Sequence, residues 1–436
     1  MDENALLRPW FEHMVASLGH VSLLDVHTHI GHNDPDGFAL SAEDLLAALE
    51  AAGSRGAVTA MHEPDGYPPA NDAVLAACEA SAGRLVALCR LDPHDDPLAE
   101  LRRCLDAGAR GIKLHPRAES FALSDPEVDA IFAAAHERRL PVLIHAGRGI
   151  PALGRDAVAL ARRYPDARII LAHGAICDLN WLWREIPRHR NLFIDTSWWN
   201  PIDQAALMSL IPPGHLLYAT DLPYFTPYLI ATMVTRYAYQ VGLDDRQVAG
   251  ILGGQAERVL AGDEPLDLGP APGQAALDYD VRLERVSTTL VLALGRMLMG
   301  RTGWEPLSLA RLACDLGDPD APESDVCRNV LALLQRQELL AKIDRNISAP
   351  FGPGIRLVML AACIARTPDV ALPRVPELEG AERLREVSAT GHRIVAAPAA
   401  DAAPAQQRDL RRSSAADHLV LDPAPAGEAP TSARPS

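Results

Sequence analysis

No stretch of this chain approaches the ~18 uninterrupted apolar residues of a membrane span, so none is read as one. Its first residues, Met1-Asp2-Glu3-Asn4, are acidic and lack the basic and apolar segments of a signal peptide. A cytoplasmic location is the expectation. Paired cysteines are missing as well: the seven (Cys78, Cys89, Cys104, Cys177, Cys314, Cys327 and Cys363) are odd in number and scattered without Cys-x-x-Cys spacing. Reduced, mostly buried thiols are expected, with no disulfide framework. Positive charge is in deficit, 41 basic residues against 57 acidic for a net −16. That sign argues against nucleic acid or an anionic membrane as the main partner. Lysine is rarest of all, with Lys113 and Lys342 the two in the chain. The arginine bias reflects genome composition, and it makes Lys113 conspicuous.

What is present is apolar residue, 48% of 436, enough for a large core and too much chain for one. A large domain with a smaller one is the prior. Up to about residue 265, short β-branched or Leu-rich runs alternate with Ala-rich segments of helical period, the pattern of repeated βα units. Eight runs stand out: 22–30, Gly56 to His62, Arg84 to Leu91, Gly111 to His115, Pro141 to His145, Ala167 to His173, Asn191 to Thr196, and His215 to Asp221. Between them Ser41-Ala-Glu-Asp44 reads as a capped helix start closed by Gly53, and Ser124-Asp-Pro-Glu127 opens another in the same way. Eight such units over roughly 250 residues predict a (β/α)8 TIM barrel, with a doubly wound open sheet as the alternative.

The first run ends in Asp25-Val-His27-Thr-His29-Ile30. Side chains alternate along a strand, which predicts Asp25, His27 and His29 on one face and Val26, Thr28 and Ile30 on the other. Two imidazoles on one face make half of a metal site. Alone the pair is weak, because 15 His in 436 residues produce one such spacing by chance in about every second chain of this size. The context strengthens it. Lys113 and His115 end the fourth run, His145 the fifth, His173 the sixth and Asp221 the eighth. Barrel strand ends surround one pocket at the C-terminal mouth. Leu143 with His145, Leu171 with His173, and Ala219 with Asp221 are predicted to share faces.

His27-Thr-His29, Gly111-Ile-Lys-Leu-His-Pro116, Pro141-Val-Leu-Ile-His-Ala-Gly147, Ile169-Ile-Leu-Ala-His-Gly174 and Thr220-Asp-Leu-Pro223 resemble the signature strands of the amidohydrolase superfamily. The resemblance is narrower to the branch containing aminocarboxymuconate-semialdehyde decarboxylase, related aromatic-acid decarboxylases, and lactone or amide hydrolases. Ala70-Asn-Asp72, Arg84 to Pro93 and Ile251 to Leu260 extend it, so that it covers about residues 20–262. It implies one divalent metal held by His27, His29, His145 and Asp221. Zinc comes first, with manganese, iron or cobalt as alternatives, and a water acidified to a pKa of about 7 by zinc. It also implies that His173 orients or deprotonates that water, beside Asp221 as the second catalytic group. Lys113 keeps three readings: a carboxylated bridge between two metals, as in other branches of the superfamily, a charge near the substrate, or a structural residue.

His115, Arg148 and Trp198 join Lys113 as candidate substrate contacts, with Arg117 as a second possible carboxylate clamp. Trp181, Trp183, Trp198 and Trp199 follow strands six and seven, where they form either an aromatic wall or an interface. His32, His62 and Glu63 read as loop or supporting residues, and Cys177 as inert. Past residue 265 the character changes. Pro265, Gly269, Pro270, Pro272 and Gly273 make a linker, then helical patterns recur over Asp278 to Met299, Pro306 to Leu316 and Glu323 to Lys342 before a turn at Pro350 to Gly354. That outline suits a small winged-helix or helical-bundle unit. From residue 266 onward 19 basic residues face 22 acidic, so a homo-oligomer contact or a protein partner outranks DNA. Beyond Ala396 the composition is Ala, Pro, Ser and Arg, read as disordered.

The domains expected are therefore a barrel over 1–265, a mainly helical appendage over 266–395 and a tail over 396–436. The activity expected is metal-dependent hydrolysis of an amide, ester or lactone of a small molecule. Non-oxidative decarboxylation of an aromatic or unsaturated acid is the alternative, and a weakened barrel serving as a regulatory scaffold a third.

Overall fold

The computed structural model describes residues 3–19, 21–147, 152–277, 280–343 and 351–374. Eight strands follow the pattern of the runs: β1 Leu23–Ile30, β2 Ser54–Ala60, β3 Leu85–Arg90, β4 Gly111–Leu114, β5 Pro141–Ile144, β6 Arg168–Leu171, β7 Leu192–Asp195 and β8 Leu216–Leu217. They pair in parallel in sequence order, β1 through β8. Helix α1 Glu3–Leu18 precedes them; α2 Ala42–Ala51, α3 Pro68–Ala80, α4 Pro97–Asp106, α5 Pro126–Arg138, α6 Gly154–Arg163, the single turn α7 Leu179–Leu182 and α8 Pro201–Leu210 connect them. Three more helices, α9 Pro227–Gln240, α10 Asp245–Ala249 and α11 Gln255–Ala261, finish the wall. This is a TIM barrel.

The caps follow local chemistry. The Ser41 hydroxyl accepts from Asp44 N as expected. At the start of α5 the capping position is Asp125 rather than Ser124, because Pro126 occupies the first helical turn.

Alternation sorts the strands into two cores. Leu24, Val26, Ala57, Leu88, Leu143, Ile170, Phe193 and Leu217 fill the barrel, plugged by Ala256 and Val259 of α11. Ile112, Leu114, Val142, Ile144, Ile169, Leu171, Leu192 and Ile194 pack outward on the helices. The plug sits close because Gly253 has no Cβ: one there would lie 2.1 Å from Ser22 O.

Closure back onto β1 is made by backbone bonds from Val26 N to Tyr218 O at 3.1 Å, Asp221 N to His27 O at 2.8 Å and His29 N to Leu222 O at 3.0 Å. The fully buried Asp25 carboxylate reinforces that seam. Its Oδ1 accepts from His27 N and Thr220 N, both at 3.0 Å, and its Oδ2 from the Thr220 hydroxyl.

Two expectations of alternation are corrected. The β1–β2 register slips between Asp25 and Thr28, a bulge that sets Val26 and His27 opposite one residue. Asp25 therefore turns to the seam while His27 and His29 turn to the mouth. On β6, Ile170 and Ala172 face the interior and Leu171 faces the helices. His173 still reaches the mouth, because its backbone turns left-handed at φ 56°.

After α11 an irregular segment lies along the barrel, with Leu266 N bonded to Gln255 Oε1 at 2.7 Å and Leu268 buried. Helices α12 Val281–Leu298, α13 Trp304–Ala313, α14 Ser324–Ile343 and α15 Pro353–Arg366 follow. Of the two architectures expected, the helical one is present, and among the described residues no strand follows β8. Helix α15 was not foreseen. It is buried almost all round, so it carries no polar face to mark it. It packs on α12, α14 and α9. Helix α1, also unforeseen, stacks Phe11 on Tyr228 of α9 at 4.1 Å and donates from Trp10 Nε1 to Asn329 of α14 at 2.9 Å. Residues 396–436, expected to be disordered, lie outside the described residues. No described helix is long and apolar enough to cross a membrane.

Two measurements check this packing. Asp25→Ala leaves two buried N–H groups without an acceptor and should cost roughly 2–6 kcal/mol of unfolding free energy, whereas Asp25→Asn keeps the Oδ1 acceptor and should cost less than half of that; equal losses in denaturant titrations would remove Asp25 from the seam. Cys177, read from sequence as inert, is the exposed cysteine of the seven; burial raises its thiol as well, but pushes the partly buried Cys78 thiol up to about 12. A bulky thiol reagent near pH 8 should modify Cys177 well ahead of the other six in the native protein and all seven after denaturation.

Candidate metal centre

His27, His29 and Asp221 bring one ligand atom each to within 4.8 Å of one another. His27 Nε2 lies 3.0 Å from His29 Nε2, and Asp221 Oδ1 lies 3.2 Å from the first and 3.0 Å from the second. The protonation of His27 is fixed from behind: its Nδ1–H donates to Asp195 Oδ2 at 2.8 Å. Its Nε2 lone pair therefore faces the cluster. Burial, and next the Lys113 charge, hold His27 and His29 well below the ordinary imidazole range. Neutral rings are what a metal needs.

Asp195 ends β7 and is fully buried. Besides His27 it binds, through Oδ1, the backbone N–H of His173 at 2.8 Å, that of Ser197 at 3.0 Å and the Ser197 hydroxyl at 2.6 Å. One carboxylate thus fixes a ring on β1 and the turn after β6. Reading by sequence missed it; its place at the end of the seventh run was the available signal.

His173 is oriented in the same manner. Its Nδ1 lies 3.1 Å from Ser197 O, a group that can accept only, so Nδ1 carries the proton. Nε2 then accepts from His145 Nδ1 at 2.9 Å. His145 Nε2 is left with its lone pair, buried and without a hydrogen-bond partner. His145 stands outside the 4.8 Å group and stacks on His115 at 3.9 Å. Burial, then neighbouring His173, holds His145 low; burial, then Arg90, does so for His115. Gly147 permits this arrangement, since a Cβ there would sit 2.6 Å from the His173 ring.

Lys113 is buried with its Nζ 2.8 Å from His27 Nε2. Burial pushes its ammonium down to about 8 and the Asp221 carboxyl up to about 7. Asp221 and His173 both adopt left-handed backbone, φ 56° each. Such conformations cost about 1–3 kcal/mol and persist where the surroundings over-determine them.

The donor set fits a divalent cation. The His27 Nε2 lone pair, the His29 Nε2 of a ring kept neutral by burial and a carboxylate oxygen converge on one point, and His145 offers a further unpartnered imidazole nitrogen.

Other candidates lie farther out. Trp198 is half-buried after β7 and donates to Asp203 at 2.7 Å; its ring meets Trp199 at 45°, so the pair presents no single flat wall. Trp181 donates to Asp178, and Trp183 stacks with Arg184. Arg117 is exposed, and Arg148 lies outside the described residues. A buried cation not foreseen is Arg90, at the end of β3, which pairs with Glu119 at 2.8 Å and lies over Tyr67.

A family model described as Amidohydrolase matches residues 24–261. Among solved structures the chain is similar to 4-oxalomesaconate hydratase from Rhodopseudomonas palustris, at 17% identity over 55% of this chain and 96% of that one, TM-score 0.45. It is also similar to an amidohydrolase from Burkholderia multivorans with bound zinc, at 16% over 55% and 99%, TM-score 0.45. A third likeness is to 2,6-dihydroxybenzoate decarboxylase complexed with 2,6-dihydroxybenzoate, at 16% over 56% and 100%, TM-score 0.45. No curated protein matches the chain.

Replacing Asp195 by Asn puts an N–H₂ group against His27 Nδ1 and favours the tautomer whose Nε2 is protonated. Divalent-metal affinity, read by competition with a chromophoric chelator, should fall about 10–100-fold. An unchanged affinity would separate Asp195 from the centre.

Proposed function

The chain belongs to the amidohydrolase family, and from that premise we propose that it is a metal-dependent hydrolase of a small-molecule amide, ester or lactone. The observation that carries this reading is the inward convergence of His27, His29 and Asp221, with the His27 proton held away on Asp195. His27, His29 and Asp221 would hold one divalent ion, zinc first among the candidates, with His145, whose Nε2 has no hydrogen-bond partner, as the further ligand. Such an ion supplies Lewis acidity, polarising a carbonyl and lowering the pKa of water.

The chain's own groups do the rest. Asp221 Oδ1 faces the two imidazoles, which leaves Oδ2 directed at His173 Nδ1, 3.8 Å away. Oδ2 is the group that takes a proton from an attacking water and passes it to the leaving atom, while the His173 Nδ1–H beside it orients that water. The Ser197 carbonyl and Asp195 keep His173 aimed while it does so. Lys113, beside His27, binds the negative charge that develops on substrate oxygen, and His115 lines the same wall through its stack on His145.

Decarboxylation is the second reading, and a specific observation favours it. A decarboxylase needs a fixed cation against the substrate acid. Arg117 and Arg148 had been the candidates on loops, but Lys113 and Arg90 are buried cations at strand ends beside the imidazoles. Arg90 is committed to Glu119, which leaves Lys113 for that task.

The test sets metal-loaded, full-length protein against lactones, esters and amides on one side and hydroxybenzoic and muconate-type acids on the other. Hydrolysis is expected, reduced about 10²–10⁴-fold in His173→Ala. Carbon dioxide release from an acid, with every ester, lactone and amide untouched, would replace hydrolysis by the second reading.

A further inference from the structure

Helix α15 meets the barrel at the loop that carries Asp221. Arg356, in its first turn, is buried, and one nitrogen of its guanidinium, Nη2, donates to Pro223 O and Tyr224 O, both at 2.9 Å. Those carbonyls belong to the two residues after Leu222, in an irregular stretch between β8 and α9 where no strand partner is available to them. Just before α15, Phe351 packs edge-on against Tyr224 and Phe225, at 5.6 and 5.5 Å, and against Phe38 of the β1–α2 loop at 5.9 Å. The Tyr224 hydroxyl donates to Asp34 in that same loop, five residues past His29.

Asp221 must hold a left-handed backbone at φ 56°. On one side its N–H is fixed by His27 O at 2.8 Å, and on the other its carbonyl accepts from Tyr224 N at 2.9 Å. Tyr224 is thus the hinge through which strain at Asp221 would relax, and Arg356 with Phe351 holds it. Burying a guanidinium in this place is costly, and burial pushes it down to about 10.

We propose that Arg356, from the helical region, is a positioning residue of the metal centre: by clamping the Pro223 and Tyr224 carbonyls it keeps the Asp221 carboxylate aimed at His27 and His29. This rests on the metal-centre reading above. It makes the helices after residue 280 part of the site, because they hold the Pro223 and Tyr224 carbonyls that the strands do not reach.

A matched control exists at the other end of the same helix. Arg236, equally buried, caps the C-terminal end of α15 with bonds to Thr367 O at 2.8 Å, Val370 O at 3.2 Å and Ala371 O at 3.0 Å. It anchors α15 without touching the Asp221 loop.

The experiment measures zinc and manganese affinity by chelator competition, together with thermal melting, for the full-length wild type, Arg356→Met, Arg356→Lys and Arg236→Met. Arg356→Met should weaken metal binding about tenfold or more, Arg356→Lys should recover part of the loss, and Arg236→Met should melt earlier while binding metal as the wild type does. Wild-type affinity in Arg356→Met, or equal losses in both Met variants, would overturn the proposal. If Arg356→Met yields no folded protein, Phe351→Leu carries the test: weakened binding supports the clamp and unchanged binding overturns it. A wild type that binds neither metal overturns the metal-centre reading itself, and the clamp with it, an outcome distinct from any difference among variants.

Discussion

Two imidazoles turn their lone pairs toward one point only if each ring's proton is held on its far side. At His27 that is achieved by one buried hydrogen bond, from Nδ1 to Asp195. Without it the ring could place its proton on Nε2, 3.0 Å from the Nε2 of His29, and the convergence would become a repulsion or an ordinary hydrogen bond. The same carboxylate grips the His173 amide, so the tautomer of β1 and the left-handed turn after β6 share a cause. Asp195 is dry, and its acceptor capacity is filled by donors from three elements.

Much of this was legible in the chain. The eight runs and the histidines and aspartate at their ends marked a barrel and its mouth, because strand period and strand termination are local properties. Failures came where position in space overrides local pattern. Strict alternation placed Asp25 beside His27 and His29, yet a bulge, which leaves no mark in composition, moved it to the seam. Leu171 was matched with His173 by counting twos, whereas positive φ at His173 breaks the count. Asp195 sat within a recognised run but in no motif with histidine. Helix α15 has an apolar residue at nearly every turn position, so a reading that depends on a contrast between faces found nothing there.

Charge divides the site from the rest of the molecule. The surface carries the net negative charge of the chain, while the mouth holds Lys113 and Arg90 in dry surroundings. A low dielectric strengthens each interaction these cations make: Arg90 is matched by Glu119, and Lys113 stands near Asp221 and Asp195. A molecule entering the mouth would exchange a hydrated, acidic surface for fixed charges of both signs held dry.

The clasp between Arg356 and the segment after β8 also has a consequence for how the molecule is made. The partners are separated by 133 positions, and Trp10 is 319 positions from its partner Asn329. At a synthesis rate of about 5–20 residues per second, the last barrel strand waits roughly 7–27 s before Arg356 exists to meet it. Through that interval a nascent chain has the residues of all eight strands but lacks the Arg356 clasp, and α1 has no α14 to receive Trp10. Barrel and helical region are therefore tied by contacts between chain segments that are made far apart in time, and the clasp on the closing loop is among the last to form.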